Sequence, residues 1–198
     1  MIMNKKMQPR HQITDKYNNN PRHKRRWELT IEWLKQFKIN KSGLDCGGKS
    51  DMTYMLAKQF KIPIGITKHD LDSIYHDTGF YDNIFIFEVI ECLLNPLLFM
   101  IWVDTNLAKN GSVYLSTPIL RPKWMRNKEL HFHEFNYNEL MYLIDKAGFK
   151  IVDEKIINPT RWYFAFTGIR PFLRVLGFDR NILLRLKKRK QNESNNNA

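Results

Sequence analysis

Residues 44–51 read LDCGGKSD, an acidic residue followed closely by two glycines and then by the start of a helical pattern. Apolar residues just before the glycines predict a brief strand over 43–46, and apolar residues after them recur with helical spacing from residue 49 onward. Glycine has no Cβ, so the backbone at Gly47 and Gly48 lets a ligand approach closely. The stretch is therefore either a plain tight turn or a loop that holds a nucleotide-like cofactor.

Strands and helices alternate outward from this turn. Further strands are predicted at 62–67, 81–87, 112–116 and 149–154, and helices at 26–37, 88–107 and 139–147. We expect the helix over 88–107 to bend or restart at Pro96, Gly111 to lie in a turn over 109–118, and Gly148 to end the last helix. This alternation predicts an α/β fold, a Rossmann-like three-layer sandwich with a mostly parallel central sheet. Ligands bind such sheets outside the carboxyl ends of the strands, where the glycine turn lies.

The net charge of +12 is concentrated at the two ends of the chain. Residues 1–26 carry a net charge of +7 and residues 180–198 one of +5, whereas residues 27–179 are neutral. A neutral body disfavours a basic nucleic-acid groove built into the fold, and basic ends favour contact with phosphate or anionic lipid. Residues 1–25 are predicted to be a mobile basic arm and residues 191–198 a disordered tail.

Two cysteines, Cys46 and Cys92, are too few for a disulfide framework, and the polar, basic amino-terminal residues do not resemble a signal peptide. We therefore expect a cytoplasmic protein. The apolar run over 84–103 contains Glu88 and Glu91, which a membrane-spanning helix would accommodate poorly, so a strand followed by a helix is expected there.

The glycine turn also satisfies the pattern G-x-x-x-x-G-K-[ST] of phosphate-binding loops, in the residues GLDCGGKS at 43–50. In that interpretation Lys49 and Ser50 would contact the phosphate and its metal. The pattern requires an apolar strand that ends just before Gly43, whereas the residues there are polar and the apolar Leu44 falls inside the supposed loop. A phosphate-binding loop is the secondary alternative.

Five stretches, in order along the chain, resemble the class I S-adenosylmethionine-dependent methyltransferase family, above all its small-molecule and glycan-modifying branch. They are LDCGGKSD, KHDLDS, YDNIFIFEVIECLLNP, LAKNGSVYLSTP and HFHEFNYNELMYLIDKAGFKI. The resemblance covers about residues 28–155. It implies S-adenosylmethionine as the cofactor and transfer of its methyl group to an O or N atom of a small molecule or of a lipid-linked saccharide.

The resemblance also implies a set of cofactor-binding residues. Asp45 would support the loop or meet the amino-acid part of the cofactor, and Asp70 or Asp72 would bind its ribose or adenine. The full implied set is Asp45, Cys46, Gly47, Gly48, Thr67, Asp70, Leu71, Phe87 and Glu88.

The sequence departs from the family at three positions. Thr67 ends the second predicted strand where the family has an acid, and Lys49 and Asp51 stand where the family has glycines.

Each acidic residue in this set also has an alternative that needs no ligand. Asp45 could cap the following helix, Asp70 and Asp72 could be turn residues, and Glu88 could be a carboxylate at a helix amino terminus.

His131 and His133 are the candidate catalytic residues. Two residues apart, they would share one face of an extended segment, and either could act as a general base that deprotonates an acceptor hydroxyl. A metal-binding pair and a pair of ordinary loop histidines are the alternatives. Because no third cluster of ligands is evident, no metal is predicted.

Residues 161–190 combine aromatic, aliphatic and basic side chains, and we assign them to an amphipathic basic segment outside a methyltransferase-like domain over 26–160. The segment is either a helix packed on the domain or an interfacial helix on an anionic membrane surface. Three functions remain open: an enzyme of the kind described, an inactive methyltransferase-fold scaffold protein, and an RNA methyltransferase. The last is less favoured, because the body of the chain is neutral.

Overall fold

The structure is a computed structural model that describes residues 19–68, 70–73, 79–119, 131–173, 175 and 180–189. The predicted tail over 191–198 and most of the predicted amino-terminal arm lie outside these residues.

The described chain forms a six-stranded sheet with helices on both faces. Its helices and strands in chain order are α1 Pro21–Leu34, β1 Gly43–Asp45, α2 Asp51–Phe60, β2 Ile64–Ile66, β3 Tyr81–Phe87, α3 Pro96–Asn106, β4 Leu107–Ile119, α4 Tyr137–Lys146, β5 Phe149–Ile157, α5 Ile169–Leu173 and β6 Arg180–Lys188. Short 3-10 helices occupy Ile90–Cys92 and Trp162–Thr167.

The strand order is β2-β1-β3-β4-β6-β5, and the strands are parallel except β6, which is antiparallel to both β4 and β5. The predicted α/β sandwich with a mostly parallel sheet is confirmed. The carboxyl ends of β1, β2, β3, β4 and β5 consequently meet at one edge of the sheet, which also receives the amino end of β6.

Two core layers cover the sheet, one on each face. The central strands supply both, because successive side chains of a strand point to opposite faces. Ile84 and Ile86 of β3 pack with α3 and α4, whereas Phe85 packs with α1 and α2. Leu184 and Leu183 of β6 divide between the two layers in the same way.

Local predictions from strong sequence patterns are confirmed. The strand β3 has the predicted bounds, and the strand–glycine–helix order around residues 43–60 is present as β1, the loop and α2. Gly148 follows α4 with a φ of +84°, a backbone conformation that favours glycine, as expected for a residue that ends a helix.

Two predictions within residues 88–119 are wrong. The helix predicted from residue 88 begins only at Pro96, where the Asn95 side chain caps it by accepting a hydrogen bond from the Leu98 amide at 3.0 Å. Proline suits a first helical turn because its missing N–H would be unpaired there. The turn predicted around Gly111 is instead part of β4, which also contains the predicted strand over 112–116 and whose pairing with β3 is irregular before Ser112.

The predicted domain limits are wrong at both ends. Helix α1 begins at Pro21, inside the segment assigned to a mobile arm. The segment predicted as one helix over 161–190 instead contains two short helices, Trp162–Thr167 and Ile169–Leu173, and the strand β6, in which Ile182, Leu184 and Leu186 are fully buried. A central strand carries apolar residues on both faces. In β6 these residues gave the sequence an excess of apolar side chains, which was interpreted as an amphipathic helix. No helix in the described part of the chain is long and apolar enough to cross a membrane.

Candidate cofactor and acceptor site

The glycine loop leaves the carboxyl end of β1, and a buried carboxylate holds it in place. Asp45 Oδ1 accepts a hydrogen bond from the Gly47 amide at 3.0 Å, and Oδ2 accepts one from the Thr53 hydroxyl at 2.6 Å. Gly48, whose carbonyl lies 3.3 Å from the same hydroxyl, has a φ of +78°, which favours glycine. Asp45 therefore supports the loop, and both of its oxygens are engaged within the chain.

Ser50, rather than Asp45, caps helix α2. The Ser50 hydroxyl accepts a hydrogen bond from the Thr53 amide at 3.4 Å, and the Thr53 hydroxyl accepts one from the Ser50 amide at 3.1 Å. This reciprocal capping box fixes the first turn of the helix. Thr53 thus links the cap of α2 to Asp45 and to the glycine loop.

The phosphate-loop interpretation of residues 43–50 is wrong. Gly43, the first glycine of that pattern, is not in a loop, because it pairs within the sheet with both β2 and β3. The Ser50 hydroxyl is engaged in the helix cap, and the Lys49 ammonium lies over the Tyr54 ring, 5.7 Å from its centroid.

Burial decides the ionisation of Asp45 and Cys46. It raises the pKa of Asp45 to about 6, against the opposite effect of the hydrogen bonds from Thr53 and Gly47. Burial first, and the Asp45 carboxylate second, raise the pKa of the Cys46 thiol well above its ordinary value. The Cys46 thiol is therefore neutral and is no nucleophile. Its backbone amide joins the sheet by donating to the Phe85 carbonyl at 2.9 Å.

Thr67 holds the loop from the side of β2. Its hydroxyl donates to the Cys46 carbonyl and its amide to the Asp45 carbonyl, both at 3.2 Å. Leu71, another residue of the implied cofactor set, is buried in the core layer that contains α3. Phe87 is half-buried, and its ring centroid lies 5.9 Å from that of Phe85.

Asp70 and Asp72 differ in what they contact. Asp72 Oδ1 accepts from the Leu94 amide at 2.7 Å and lies 3.3 Å from the Asn95 amide, so it ties this loop to the start of α3. Asp70 Oδ1 accepts from the Asp72 amide at 3.1 Å, an Asx turn, which leaves Oδ2 without a donor among the described residues. Asp70 is therefore the better placed acid for a ligand.

Glu88 is the centre of a buried polar network beyond the end of β3. Its Oε2 lies 3.0 Å from Arg26 Nη1, and the side chains of both residues are only 10% exposed. Its Oε1 accepts from the Ser116 hydroxyl at 2.9 Å and from the Asn181 amide at 2.8 Å. Glu88 has a φ of +58°, which is uncommon for a residue with a side chain. Glu88 does not cap an α-helix, because the nearest one that follows among the described residues begins at Pro96 and only the short 3-10 helix Ile90–Cys92 lies between.

Glu91 lies beside this network and is fully buried. Its Oε2 accepts from the Thr117 hydroxyl at 3.1 Å, whereas Oε1 has no hydrogen-bond partner among the described residues. Burial, followed by the nearby Glu88 carboxylate, raises the pKa of Glu91 well above its usual range. A hydrogen-bonding oxygen left without a partner in the interior is costly, so this carboxyl group needs an explanation.

The two histidines lie against the turn Ile90–Cys92. The His133 amide donates to the Glu91 carbonyl at 2.9 Å, and its Nε2 lies 3.4 Å from the Leu94 carbonyl. His131 has a ring nitrogen within 4.8 Å of the Cys92 sulfur and of a Glu91 carboxylate oxygen. The structure thus brings both predicted residues next to the turn that follows β3.

Several residues of the site were not predicted from sequence: Arg26, Glu91, Ser116, Thr117 and Asn181. Ser116 and Thr117 were detectable as hydroxyl residues at the carboxyl end of a predicted strand. Arg26 and Asn181 were not, because they come from opposite ends of the chain.

Solved structures share this architecture. One chain of the complex between the Haloferax volcanii Trm112 methyltransferase activator and a putative methyltransferase matches with a TM-score of 0.67. The match covers 84% of this chain and 92% of that one, at 10% sequence identity. The fold is that of the class I S-adenosylmethionine-dependent methyltransferases.

Two further solved structures resemble the chain. An O-methyltransferase of a Brevibacillus brevis trans-AT polyketide synthase, in complex with S-adenosyl-L-homocysteine, has a TM-score of 0.60 and 14% identity over 82% of this chain and 72% of that one. The [4+2]-cyclase SpnF has a TM-score of 0.59 and 12% identity over 82% of this chain and 81% of that one. No family model and no curated protein matches the sequence.

The surroundings of Gly47 bear on whether the glycine loop can hold a ligand. A Cβ at Gly47 would lie 3.4 Å from Asp45 Oδ1 and 3.7 Å from the Phe87 carbonyl oxygen. Gly47 therefore leaves the space between the loop and the end of β3, called the notch below, without a side chain. Asp70 adds an acceptor oxygen for a hydroxyl or amino group from the β2 side.

Proposed function

We propose that the protein binds S-adenosylmethionine and transfers its methyl group to an O or N atom of a small molecule or of a lipid-linked saccharide. The observation that carries the proposal is the glycine loop at the carboxyl end of β1, held by Asp45 and left open at Gly47. This is the position at which sheets of this class bind ligands.

The residues near the loop have distinct roles in this proposal. S-adenosylmethionine supplies an already activated methyl group on its sulfonium, so the protein needs chiefly to align donor and acceptor. The backbone at Gly47 and Gly48 contacts the cofactor, and Asp70 Oδ2 accepts from its ribose or adenine. Phe87 and Glu88 border the methyl group at the end of β3.

His133 is the candidate general base, and His131 the alternative one. The His133 ring is half-buried and stacks on the Phe135 ring with centroids 5.5 Å apart, so the orientation of the imidazole is fixed. A base held in this way beside the end of β3 could accept the proton of an acceptor hydroxyl.

The acceptor side of the site is apolar. The chain between β5 and β6 lies at the same edge of the sheet as the glycine loop, because β5 ends there and β6 begins there. It carries Trp162, Phe166 and Ile169, which are 71%, 82% and 81% exposed. Exposed aromatic and aliphatic side chains at this edge suit an apolar or lipid-linked acceptor on an anionic membrane surface.

Calorimetry with S-adenosylmethionine, its demethylated product and ATP tests the cofactor. We expect the first two to bind and ATP not to bind. The variant Asp70→Asn keeps the Oδ1 acceptor of the Asx turn but loses the charge, and should bind cofactor about 10- to 100-fold more weakly. Asp82→Asn is the control, because it makes the same change near the amino end of β3, the end that lies away from the glycine loop. Failure of the wild-type protein to bind S-adenosylmethionine would favour the inactive scaffold alternative.

A second matched pair tests the notch. Gly47→Ala should weaken cofactor binding without changing the unfolding temperature, because the added methyl group makes only ordinary contacts within the protein. Gly65→Ala adds the same group to the edge strand β2, 3.7 Å from its nearest neighbour, and should leave binding unchanged. Equal affinities in the two variants would contradict the placement of the cofactor.

Methyl-labelled cofactor identifies the acceptor class. The protein is incubated with separate small-molecule, lipid and RNA extracts, and transferred label is measured in each. Label in the first two supports the proposal, whereas label in RNA alone supports the less favoured alternative. Co-sedimentation with anionic vesicles tests whether the protein binds a membrane surface. The variant is Phe166→Ser, and the control is Tyr142→Ser, which also removes an exposed aromatic side chain.

A further inference from the structure

One group of side chains beside the proposed methyl-transfer site is unexplained by it. Glu91, Cys92 and His131 each offer one ligand atom, and these three atoms all lie within 4.8 Å of one another. Glu91 is buried, whereas Cys92 and His131 are half-buried, so the group is reachable from solvent on one side.

A separate observation points to a bound cation at this place. Glu91 is fully buried, and its Oε1 has no hydrogen-bond partner among the described residues. A buried carboxylate is retained when it is paired with a positive charge or coordinates a metal. Arg26, the cation of the neighbouring network, has its ion pair with Glu88 Oε2, at 3.0 Å.

We propose that Glu91, Cys92 and His131 bind a divalent transition-metal ion of the zinc class. Imidazole nitrogen, thiolate sulfur and carboxylate oxygen are the ligands that zinc takes in proteins. Two anionic ligands and a divalent ion have no net charge, which removes the cost of burying an isolated Glu91 carboxylate. Three protein ligands leave one position of a tetrahedral site open.

The surroundings hold the ligands as a metal site requires. Thr117 donates to Glu91 Oε2 at 3.1 Å, so it orients the carboxylate and leaves Oε1 for the ion. The His133 amide bonds to the Glu91 carbonyl at 2.9 Å, which fixes the chain that carries His131 against the turn that carries Cys92. The ligand atoms of a tetrahedral zinc site are about 3.5 Å from one another. Side-chain rotations that move the three ligand atoms by about 1 Å therefore complete the site.

The proposal assigns different roles to the two histidines. His131 becomes a metal ligand, and His133 remains available as a base. It goes beyond methyl transfer, because ion binding is measured without cofactor or acceptor.

The test uses the reduced full-length protein, freed of metal by a chelator and then titrated with Co²⁺ and Zn²⁺. Co²⁺ should give the visible bands of a tetrahedral site and a thiolate-to-cobalt charge-transfer band, with one ion bound per chain. Zn²⁺ should displace it and raise the unfolding temperature. Cys92→Ser should lose the charge-transfer band, although Cys46 is still present. Cys92→Ser and His131→Asn should each bind Zn²⁺ at least about tenfold more weakly.

The matched control is His133→Asn, which removes a neighbouring imidazole but keeps the backbone hydrogen bond to Glu91. This variant should bind Zn²⁺ like the wild type. A folded wild-type protein without a charge-transfer band would overturn the proposal and leave Glu91 as a neutral buried acid. Zinc binding that Cys92→Ser and His131→Asn do not weaken would also overturn it, because the ion would then bind elsewhere.

Discussion

The variant Asp45→Asn should make the stability of the protein less dependent on pH. Asp45 is buried at 3% exposure, and burial raises its pKa from 3.8 to about 6. One pKa unit corresponds to about 1.36 kcal/mol, so ionisation of Asp45 lowers the free energy of unfolding by about 3 kcal/mol. The protonated carboxyl group gives its full stability below about pH 4, and this stability is lost as the pH rises through about 6.

Asparagine cannot ionise and still fits the hydrogen bonds. Its oxygen can accept from the Gly47 amide, and its amide can donate to the Thr53 hydroxyl, which can turn toward the Gly48 carbonyl at 3.3 Å. The variant should therefore gain stability relative to the wild type between pH 4 and pH 6, by up to about 3 kcal/mol, and the gain should stay constant above pH 7.

Urea unfolding followed by circular dichroism, at several pH values from 4 to 7.5, measures this difference. Other titrating groups are common to both proteins and cancel in the comparison. Thr53→Val removes a hydrogen bond that lowers the Asp45 pKa, so its stability should fall more steeply with pH than that of the wild type. A difference between Asp45→Asn and wild type that is the same at pH 4 and at pH 7 would refute the reasoning.

Two further predictions concern the ends of the chain. Arg26→Met should lower the free energy of unfolding by about 3–5 kcal/mol, because it leaves the buried Glu88 carboxylate without its cation. Arg25→Met, which removes an exposed pair on the same helix, should cost less than about 1 kcal/mol, and equal losses in urea unfolding would contradict the role of the buried pair. Truncation after Thr160 should abolish cooperative unfolding, because it removes β6 from between β4 and β5; a truncated protein with a normal thermal transition would show that the sheet does not depend on that strand.

Short-range patterns explain which elements could be predicted. The strand β3 was recognisable because its aromatic and β-branched residues alone favour an extended chain. The glycine loop was recognisable because Gly47 and Gly48 follow an apolar strand and precede a helical pattern. Both elements depend on interactions between residues close in sequence, so they can be predicted from the sequence alone.

The strand β6 could not be predicted in this way. An apolar run such as that from Ile182 to Leu186 occurs in buried helices as well as in central strands. Its strand conformation comes from pairing with β4 on one side and with β5 on the other. The same holds for the residues before α3, where Glu88 and Glu91 belong to a buried network rather than to an α-helix.

The α/β class and the position of the glycine loop follow from the sequence alone, because local backbone preferences and residue spacing suffice for these. Only the tertiary structure decided that Arg26 and Asn181 meet at Glu88, from positions 62 residues before it and 93 after it. It alone brought His131 to Cys92 and placed the aromatic segment before β6 at the edge of the site. These contacts depend on which strands become neighbours, and that order is set by burial of both faces of the sheet over the whole chain.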